Sequence, residues 1–429
     1  MRETKRAPNT EAAPLPPLPP DVSIEGMIRE RYDASDGGDV FAKTQGFNII
    51  ERAQSLDLYP YFRPLDNNDG PEAIVDGKRV LMFGSNNYLG LTRHPRVMEA
   101  AQKAIAEYGT SMTGSRLYNG TTKLHEELEE RIAAFLRKER ALVFTTGYQA
   151  NLGIISALVD KKSVAVVDKA DHASIYDGCQ LSDGDMVRFR HNDTAHLDQV
   201  LGKLDKPALV IVDGVYSMGG DIAPLPEIVE VSKRHGARIV VDDAHGMGVL
   251  GEGGRGTASH FGLEDAADII MGTFSKSLAS IGGYVAGTGP VMNWIQHFAR
   301  PLLFSASLPP ALAAAALASL SVLEDEPEMV ERLRQNGDRW RQGLANMGYD
   351  IGGSQTPIVP VSVGDEYRTL MFWKGLTAAG VYVNPAIYPA VAMKEAMMRT
   401  SCMATHTDEM IDRALDAFQT VGRNLGVIG

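Results

Sequence analysis

The stretch that decides the fold runs from Ala237 to Gly283. It begins Ala-Arg-Ile-Val-Val-Asp-Asp-Ala-His and, after a glycine-rich turn, reaches Ile-Ile-Met-Gly-Thr-Phe-Ser-Lys at residues 269–276. Two apolar runs, 238–241 and 269–271, predict buried strands of a parallel sheet. Because open α/β sheets place their ligands at the carboxyl ends of such strands, we expect a site where these two runs end.

Polar side chains follow both runs. The first run is followed by Asp242 and His245, and the second by Thr273, Ser275 and Lys276. A lysine that can form a Schiff base, beside an acid that can keep a pyridine nitrogen protonated, suits a pyridoxal 5'-phosphate (PLP) site. Taken alone, the lysine would be a solvated surface residue and the acid a helix cap or surface turn. The prediction therefore rests on the group as a whole.

Two other predicted strands end in residues that fit the same site. His172 follows the run 163–167, and its imidazole could stack on a cofactor ring, although a lone histidine here is more often structural. Gly147 and Tyr148 open a helix after the short run 142–144. The N–H groups and dipole of a helix N-terminus favour a phosphate, with a plain helix cap as the alternative. Thr273 and Ser275 would add hydroxyl donors to that phosphate.

One glycine pattern points elsewhere and is rejected. Residues 246–251 match G-x-G-x-x-G directly after a strand, as in dinucleotide-binding folds. That fingerprint requires a helix that starts within the glycines, and the chain continues Gly-Glu-Gly-Gly-Arg-Gly at 251–256, a poor helix start. We therefore predict a mobile loop and no nicotinamide cofactor.

Composition excludes several classes of protein. The chain has 429 residues, 44% hydrophobic and 22% charged, with a formal net charge of −12, which argues against nucleic acid as a partner. Its two cysteines have no metal-ligand spacing, so we predict no metal site and a reducing compartment. No apolar run approaches the ~18–20 residues that span a bilayer. We predict a cytoplasmic protein and leave peripheral contact with the inner membrane open.

The order of the predicted elements gives the fold class. Strand-then-helix units recur along the chain, which indicates an α/β fold with a mostly parallel, doubly wound sheet. We predict that the chain divides into four parts. A disordered Pro-rich tail (1–22) is followed by an N-terminal helix and hairpin segment (23–83). A large PLP-binding domain (84–310) and a smaller α+β C-terminal domain (311–429) complete the chain. The hairpin is expected over 73–83, with Asp-Gly at its turn.

Six motifs together resemble the α-oxoamine synthase family of fold-type I PLP enzymes, over about residues 58 to 425. They are Gly-Ser-Asn-Asn-Tyr-Leu-Gly at 84–90, Thr-Gly-Tyr-Gln-Ala-Asn at 146–151, Asp-His-Ala-Ser-Ile at 171–175, Asp-Asp-Ala-His-Gly at 242–246, Gly-Thr-Phe-Ser-Lys-Ser at 272–277 and Phe-Ser-Ala-Ser at 304–307. Jointly these motifs are highly specific for the family and less specific for its individual members.

The resemblance implies a role for each candidate residue. Lys276 would carry the Schiff base, Asp242 would pair with the pyridine nitrogen, and His245 would contact the phenolic oxygen of the cofactor. His172 would stack on the ring and touch the substrate carboxylate. The phosphate would be bound by Gly147, Tyr148, Thr273 and Ser275, and also by Ser305 and Ala306 of the neighbouring subunit of a homodimer. The substrate would be bound by Arg399 and, across the dimer interface, by Asn87.

The resemblance also implies the reaction. The likeness is greatest to bacterial members that condense L-serine with a long-chain acyl-CoA or acyl-carrier-protein thioester, releasing CO2 and leaving a 3-ketodihydrosphingosine, the first step of sphingolipid biosynthesis. Members that use glycine or alanine, such as 2-amino-3-ketobutyrate ligase and 8-amino-7-oxononanoate synthase, stay open, as does a non-catalytic subunit. One segment departs from some relatives, because Ile387-Tyr388 stands where they have Arg-Pro. This departure puts a second carboxylate-binding arginine in doubt.

Overall fold

A computed structural model describes residues 48–429 and, before them, residues 15, 39–41 and 44. The predicted tail therefore lies almost wholly outside the described residues, and the predicted N-terminal helix, at residues 24–32, lies wholly outside them. Within the described part the chain forms a central seven-stranded sheet flanked by a four-stranded and a three-stranded sheet. No helix among these residues combines the length and the apolar composition needed to cross a membrane.

Fourteen strands are found in the described residues. In chain order, β1 to β14 are Asn67–Asn68, Glu72–Val75, Lys78–Met82, Arg140–Phe144, Val164–Asp168, Asp185–Phe189, Ala208–Asp213, Arg238–Asp242, Ile269–Thr273, Gly283–Gly287, Ile358–Gly364, Val381–Tyr382, Asn384–Ala386 and Ala396–Ser401.

Fourteen α-helices accompany them in the same part of the chain. In order, α1 to α14 are Ile49–Ser55, Pro95–Tyr108, Lys123–Phe135, Gly147–Leu158, Ala173–Leu181, Thr194–Leu201, Leu225–Arg234, Thr257–His260, Gly289–Phe298, Arg300–Leu303, Pro310–Asp325, Glu328–Asn346, Glu366–Ala378 and Asp408–Asn424.

The central sheet confirms the predicted architecture. Its strand order is β4-β10-β9-β8-β7-β5-β6, and only β10 runs antiparallel to its neighbours. Alternate residues of β8 belong to different cores, since Ile239 and Val241 pack in one apolar cluster and Val240 in another. Helices thus cover both faces of the sheet, as a doubly wound fold requires.

Strand register brings the predicted site residues to one edge of this sheet. Strands β7, β8 and β9 are parallel neighbours, with Asp213 opposite Asp242 and Asp242 opposite Met271. Their carboxyl ends therefore meet at one place, where Lys276 follows β9 by three residues. Strand β10 runs back beside β9, and its first residue, Gly283, pairs with Thr273.

The predicted hairpin is confirmed. Strands β2 and β3 pair antiparallel across Asp76 and Gly77, which both have positive φ (51° and 71°), as a two-residue type I′ turn requires. Strand β3 also pairs in parallel with β12 from the C-terminal part of the chain. The hairpin residue Leu81 packs in the same apolar core as Trp340.

The glycine pattern at 246–251 forms a turn and no helix begins within it, as predicted. Residues 246–249 are buried, however, and the segment is hydrogen bonded, with the N–H of Gly248 donating to the carbonyl of Gly254. The carboxylate of Asp243 holds the chain that follows by accepting from both the backbone and the hydroxyl of Thr257. These contacts make the segment an integral part of the core, so the expectation of a mobile loop finds no support.

Candidate active site

Lys276 lies at the centre of the site, half-buried at the carboxyl edge of the sheet. Burial lowers the pKa of its amine to about 8, against the opposing effect of the carboxylates of Asp242 and Asp213. A lysine with a lowered pKa supplies more neutral amine near neutral pH, which is the form that attacks a carbonyl.

Asp242 ends β8 with a buried carboxylate whose oxygens are held by two donors. Oδ2 accepts from the side-chain amide of Asn151 at 2.7 Å, and Oδ1 accepts from the N–H of Ala244 at 3.0 Å. The same amide of Asn151 also donates to the hydroxyl of Ser174 at 2.9 Å, which fixes its orientation. Asp242 forms no ion pair with any described residue, so this buried acid is available to a cation from outside the chain.

An anion cradle lies beside the carboxylate, at the start of α4. The first two N–H groups of the helix, at Gly147 and Tyr148, donate to no described residue. Gly283 lets the helix start approach the sheet, because a Cβ there would meet the Cα of Gly147 at 2.6 Å. Thr273 donates its proton to the carbonyl of Gly282 at 2.8 Å, so the exposed hydroxyl of Ser275, 2.7 Å away, donates to Thr273 and would turn its proton to an anion when one binds.

A buried tyrosine connects two of the predicted residues. The hydroxyl of Tyr88 lies 2.7 Å from Nδ1 of His245 and accepts from Nη2 of Arg399 at 3.2 Å. Burial, together with the charges of Lys276 and Arg399, holds the pKa of His245 well below its usual value. A neutral imidazole with Nδ1 directed to Tyr88 leaves Nε2 for another partner.

Arg399 is buried on β14 without an acidic partner in the described part of the chain. Its guanidinium donates to the carbonyl of Ser217 at 3.1 Å, to the hydroxyl of Ser401 at 3.3 Å and to Tyr88. A buried cation that has only neutral partners suits an incoming carboxylate, which an arginine can bind through two parallel hydrogen bonds.

His172 caps α5 and presents an exposed ring to the site. Its Nδ1 lies 2.8 Å from the hydroxyl of Ser174. The imidazole is partly shielded from water, and this lowers its pKa. Asp213, at the end of β7, is also close. Burial and the nearby Asp242 raise the pKa of Asp213 well above its usual value, and its Oδ1 has no hydrogen-bond partner among the described residues.

Behind Asp213, hydrogen bonds run from the site towards the surface. Asp171 accepts from the backbone N–H groups of Asp213 and Asp168. Asp168 in turn lies 3.0 Å from Nδ1 of His191, whose Nε2 lies 2.9 Å from Asp221. The two carboxylates raise the pKa of His191 to about 9, so this imidazole is protonated at neutral pH.

Two cavities meet at the lysine. The smaller, of about 250 Å³, is lined by the anion cradle, Asn151, Asp213 and Asp242. The larger, of about 860 Å³, is lined by Arg399, by residues 387–390 and by the apolar segment 56–62. His172, His245 and Lys276 line both cavities. In the described part of the chain, Arg399 is the one arginine that lines the larger cavity. Ile387 and Tyr388, which stand where some relatives have Arg-Pro, line the same cavity.

Three predicted residues lie outside both cavities. Asn87 donates to Thr92 of its own chain at 2.9 Å, while the neighbouring Asn86 lines the larger cavity. Ser305 accepts from the side chain of Gln149 at 3.1 Å, and the carbonyl of Ala306 accepts from Thr145 at 2.6 Å. All three were expected to act across a subunit interface, and for a single chain this stays a prediction.

The residues present fit PLP. One side of the smaller cavity has the free N–H groups that begin α4 and a hydroxyl, which suit a phosphate. The same cavity is lined by the buried carboxylate of Asp242, which has no ion-pair partner among the described residues and suits a pyridinium nitrogen. A lysine with a lowered pKa stands between them, and an exposed imidazole lies beside it. Together with the doubly wound sheet, this donor set defines a fold-type I PLP-dependent enzyme.

The comparison with known families agrees with this class. Residues 78–418 match the model of the family "Aminotransferase class I and II", and the chain belongs to this PLP-dependent family. A serine palmitoyltransferase of Sphingobacterium spiritivorum is 46% identical over 381 residues, which cover 88% of this chain and 96% of that protein. An 8-amino-7-oxononanoate synthase of Thermoanaerobacter pseudethanolicus is 42% identical, covering 88% and 97%. Both relatives are α-oxoamine synthases, so the predicted resemblance is confirmed.

Solved structures give the same result. The serine palmitoyltransferase of Sphingomonas wittichii superimposes with a TM-score of 0.88 at 42% identity, covering 91% of this chain and all of that one. A serine palmitoyltransferase from S. paucimobilis with a bound PLP–myriocin aldimine has the same TM-score at 40% identity and the same coverage. The predicted fold class is thereby confirmed.

The sequence interpretation missed several residues that the structure places in the site. Tyr88 and Asn151 lie inside quoted motifs but were given no role, and Asp213, directly after the apolar run 208–212, was given none either. Asn86 and Ser217 were overlooked in the same way. A polar residue that directly follows a buried strand, as Asp213 does, is the one signal that could have drawn attention to any of them.

Proposed function

We propose that the chain catalyses the serine palmitoyltransferase reaction, in which L-serine condenses with palmitoyl-CoA or another long-chain acyl thioester. The products are 3-ketodihydrosphingosine, CO2 and the free thiol. The observation that carries the proposal is one cavity in which Lys276, the unpaired guanidinium of Arg399 and a long apolar wall come together. The relatives named serine palmitoyltransferase, which align over most of the chain, support the same reaction.

The smaller cavity would hold the cofactor. Gly147, Tyr148 and Ser275, with Thr273, would bind the phosphate, and Asp242 would pair with the pyridine nitrogen. When bound, PLP supplies an electron-withdrawing ring that stabilises negative charge on the α-carbon of the amino acid. The hydrogen bonds from Asn151 and Ala244 would keep the carboxylate of Asp242 directed at that nitrogen.

The protein's own groups would bind serine and move its proton. Arg399 would take the serine carboxylate, with His172 beside it, and Tyr88 would hold the guanidinium in place. Lys276 would remove the α-proton as a neutral amine, for which its lowered pKa of about 8 is suited. His245 would keep Nε2 directed to the cofactor because Nδ1 lies against Tyr88.

The proposal extends to the assembly. A homodimer would bring Asn87, Ser305 and Ala306 of one subunit towards the site of the other, consistent with their positions outside both cavities of their own chain. The chain would divide into the PLP-binding domain 84–310 and the smaller domain 311–429, preceded by the segment 23–83 and the tail 1–22. Localisation in the cytoplasm, with or without peripheral contact with the inner membrane, belongs to the same proposal.

The alternative is that the chain has a different α-oxoamine synthase activity in place of this one, because relatives named 8-amino-7-oxononanoate synthase reach 42% identity. The test is a product assay by mass spectrometry. The PLP-loaded protein receives palmitoyl-CoA with L-serine, glycine or L-alanine in separate reactions, and a Lys276→Ala variant serves as the control. We expect a C18 3-keto amino alcohol with serine alone. A product formed only with glycine or alanine would contradict the proposal and favour a sister activity.

A further inference from the structure

The apolar wall of the larger cavity is built from a segment to which the known motifs assign nothing. Helix α1 places Ile49, Ile50 and Ala53 on the cavity wall, and Leu56 continues that wall beyond the helix. Of the intervening side chains, Glu51, Gln54 and Ser55 are exposed to solvent. The helix is therefore amphipathic, with its apolar side towards the cavity.

Among the described residues, none covers the apolar side of α1. No residue of the helix is buried, although Leu58 just after it is only 5% exposed. A helix that presents apolar side chains to a cavity without burying them gains little from folding unless a ligand fills the space. Within the described part of the chain, the apolar side of α1 therefore faces a space that suits an apolar occupant.

One ion pair, one cation–π contact and one hydrogen bond attach the residues after α1 to the C-terminal part of the chain. Asp57 pairs with Lys374 of α13 at 2.7 Å, and the guanidinium of Arg63 lies over the ring of Trp373, 5.3 Å from its centroid. The hydroxyl of Tyr61 donates to the carbonyl of Pro385 on β13 at 3.4 Å. These contacts hold residues 57–63, which follow α1, against the C-terminal part of the chain.

The geometry points to a function for this wall, and we propose that α1 and residues 56–62 form the end of an acyl-chain site and set the length of chain accepted. This inference rests on the proposed function. The same cavity is bounded by Lys276 and Arg399 at its polar end. A molecule that fills it has a polar reactive group at that end and an apolar tail at α1, as a long-chain acyl thioester has. Its volume of about 860 Å³ falls within the ~300–1,000 Å³ of ordinary ligand pockets.

The test changes the size of the wall and measures chain-length preference. Ala53→Phe places a ring in the cavity, and Gln54→Phe places the same ring on the exposed side of the helix as the matched control. The kcat/KM is measured for acyl-CoA substrates from C8 to C20 with saturating amino acid. Each methylene that the new ring displaces should cost about fourfold in kcat/KM. We therefore expect the optimum of Ala53→Phe to move to shorter chains and that of Gln54→Phe to stay at the wild-type length.

A second variant covers the case in which Ala53→Phe fails to fold. Ile50→Ala enlarges the same wall and should raise the ratio of C18 and C20 to C16 activity. The apparent KM for the amino acid and the absorbance change on adding it should stay at wild-type values in both wall variants. Equal losses at every chain length, or an unchanged optimum in both, would overturn the inference.

The outcomes separate this inference from the proposed reaction. If the wild type prefers glycine or alanine, the series is run with that amino acid, and a chain-length shift in the wall variants still supports the acyl site. If the wild type uses serine but accepts only short acyl groups of about six carbons or fewer, the acyl site is wrong while the enzyme class stands. A wild type that turns over no acyl thioester overturns both.

Discussion

The hydrogen bond between Asn151 and Asp242 predicts how tightly the cofactor binds. Asn151→Ala removes one of the two donors to the buried carboxylate and leaves the contact from the N–H of Ala244. A hydrogen bond to a charged group contributes about 1.5–3 kcal/mol. If that stabilisation is needed for the carboxylate to face the pyridine nitrogen, the Kd for PLP should rise by about 10- to 150-fold.

The assay is a titration of the apo-enzyme with PLP, followed by the absorbance of the bound cofactor. The control is Ser174→Ala, which does not contact Asp242 but removes the other hydrogen-bond partner of the Asn151 amide and the hydroxyl beside Nδ1 of His172. We expect the control to weaken binding far less than Asn151→Ala does. A Kd for Asn151→Ala within about threefold of the wild type would refute the reasoning, because so small a change is well below the energy of a charge-assisted hydrogen bond.

Three further predictions follow from the same geometry. Because burial lowers the pKa of Lys276 to about 8, the rate at which apo-enzyme combines with PLP should rise with pH around that value, and a midpoint near 10 would contradict it. Tyr88→Phe removes a hydrogen bond from Arg399 and should raise the KM for serine about tenfold, with an unchanged KM as the contrary result. The pKa of His191 is raised to about 9, above its unfolded value of about 6.5, so its stabilisation is complete below pH ~6.5 and is lost as the pH approaches 9. The difference in melting temperature between wild type and His191→Gln should therefore be largest below pH ~6.5 and disappear by pH 9.

The central sheet could be predicted because its signals are local. Runs such as 239–241 and 269–271 are apolar on both faces, and each is followed closely by polar residues. Since parallel strands align their carboxyl ends, the meeting of Asp242, Lys276 and the start of α4 followed without knowledge of the register. The Asp-Gly hairpin was equally local, because the turn alone specifies it.

The connections between motifs could not be predicted, because tertiary packing decides them. Tyr88 meets His245 across 157 residues of sequence and Arg399 across 311. Nothing in the local pattern of residues 84–90 distinguishes a tyrosine packed in the core from one that holds two site residues. The wall of the larger cavity presents the same difficulty, since α1 and residues 387–390 come from opposite ends of the chain.

Two aspartates at neighbouring strand ends show why position alone does not assign a role. Asp213 and Asp242 are paired in register on β7 and β8, and both line the smaller cavity. Asp242 receives hydrogen bonds on both oxygens, whereas Asp213 has one oxygen without a described partner and a raised pKa. Burial and the nearby charge of Asp242 both raise the pKa of Asp213, so a second negative charge is costly at this place. Asp242, whose two oxygens already accept hydrogen bonds, is therefore the better placed of the two acids to pair with a cationic ring.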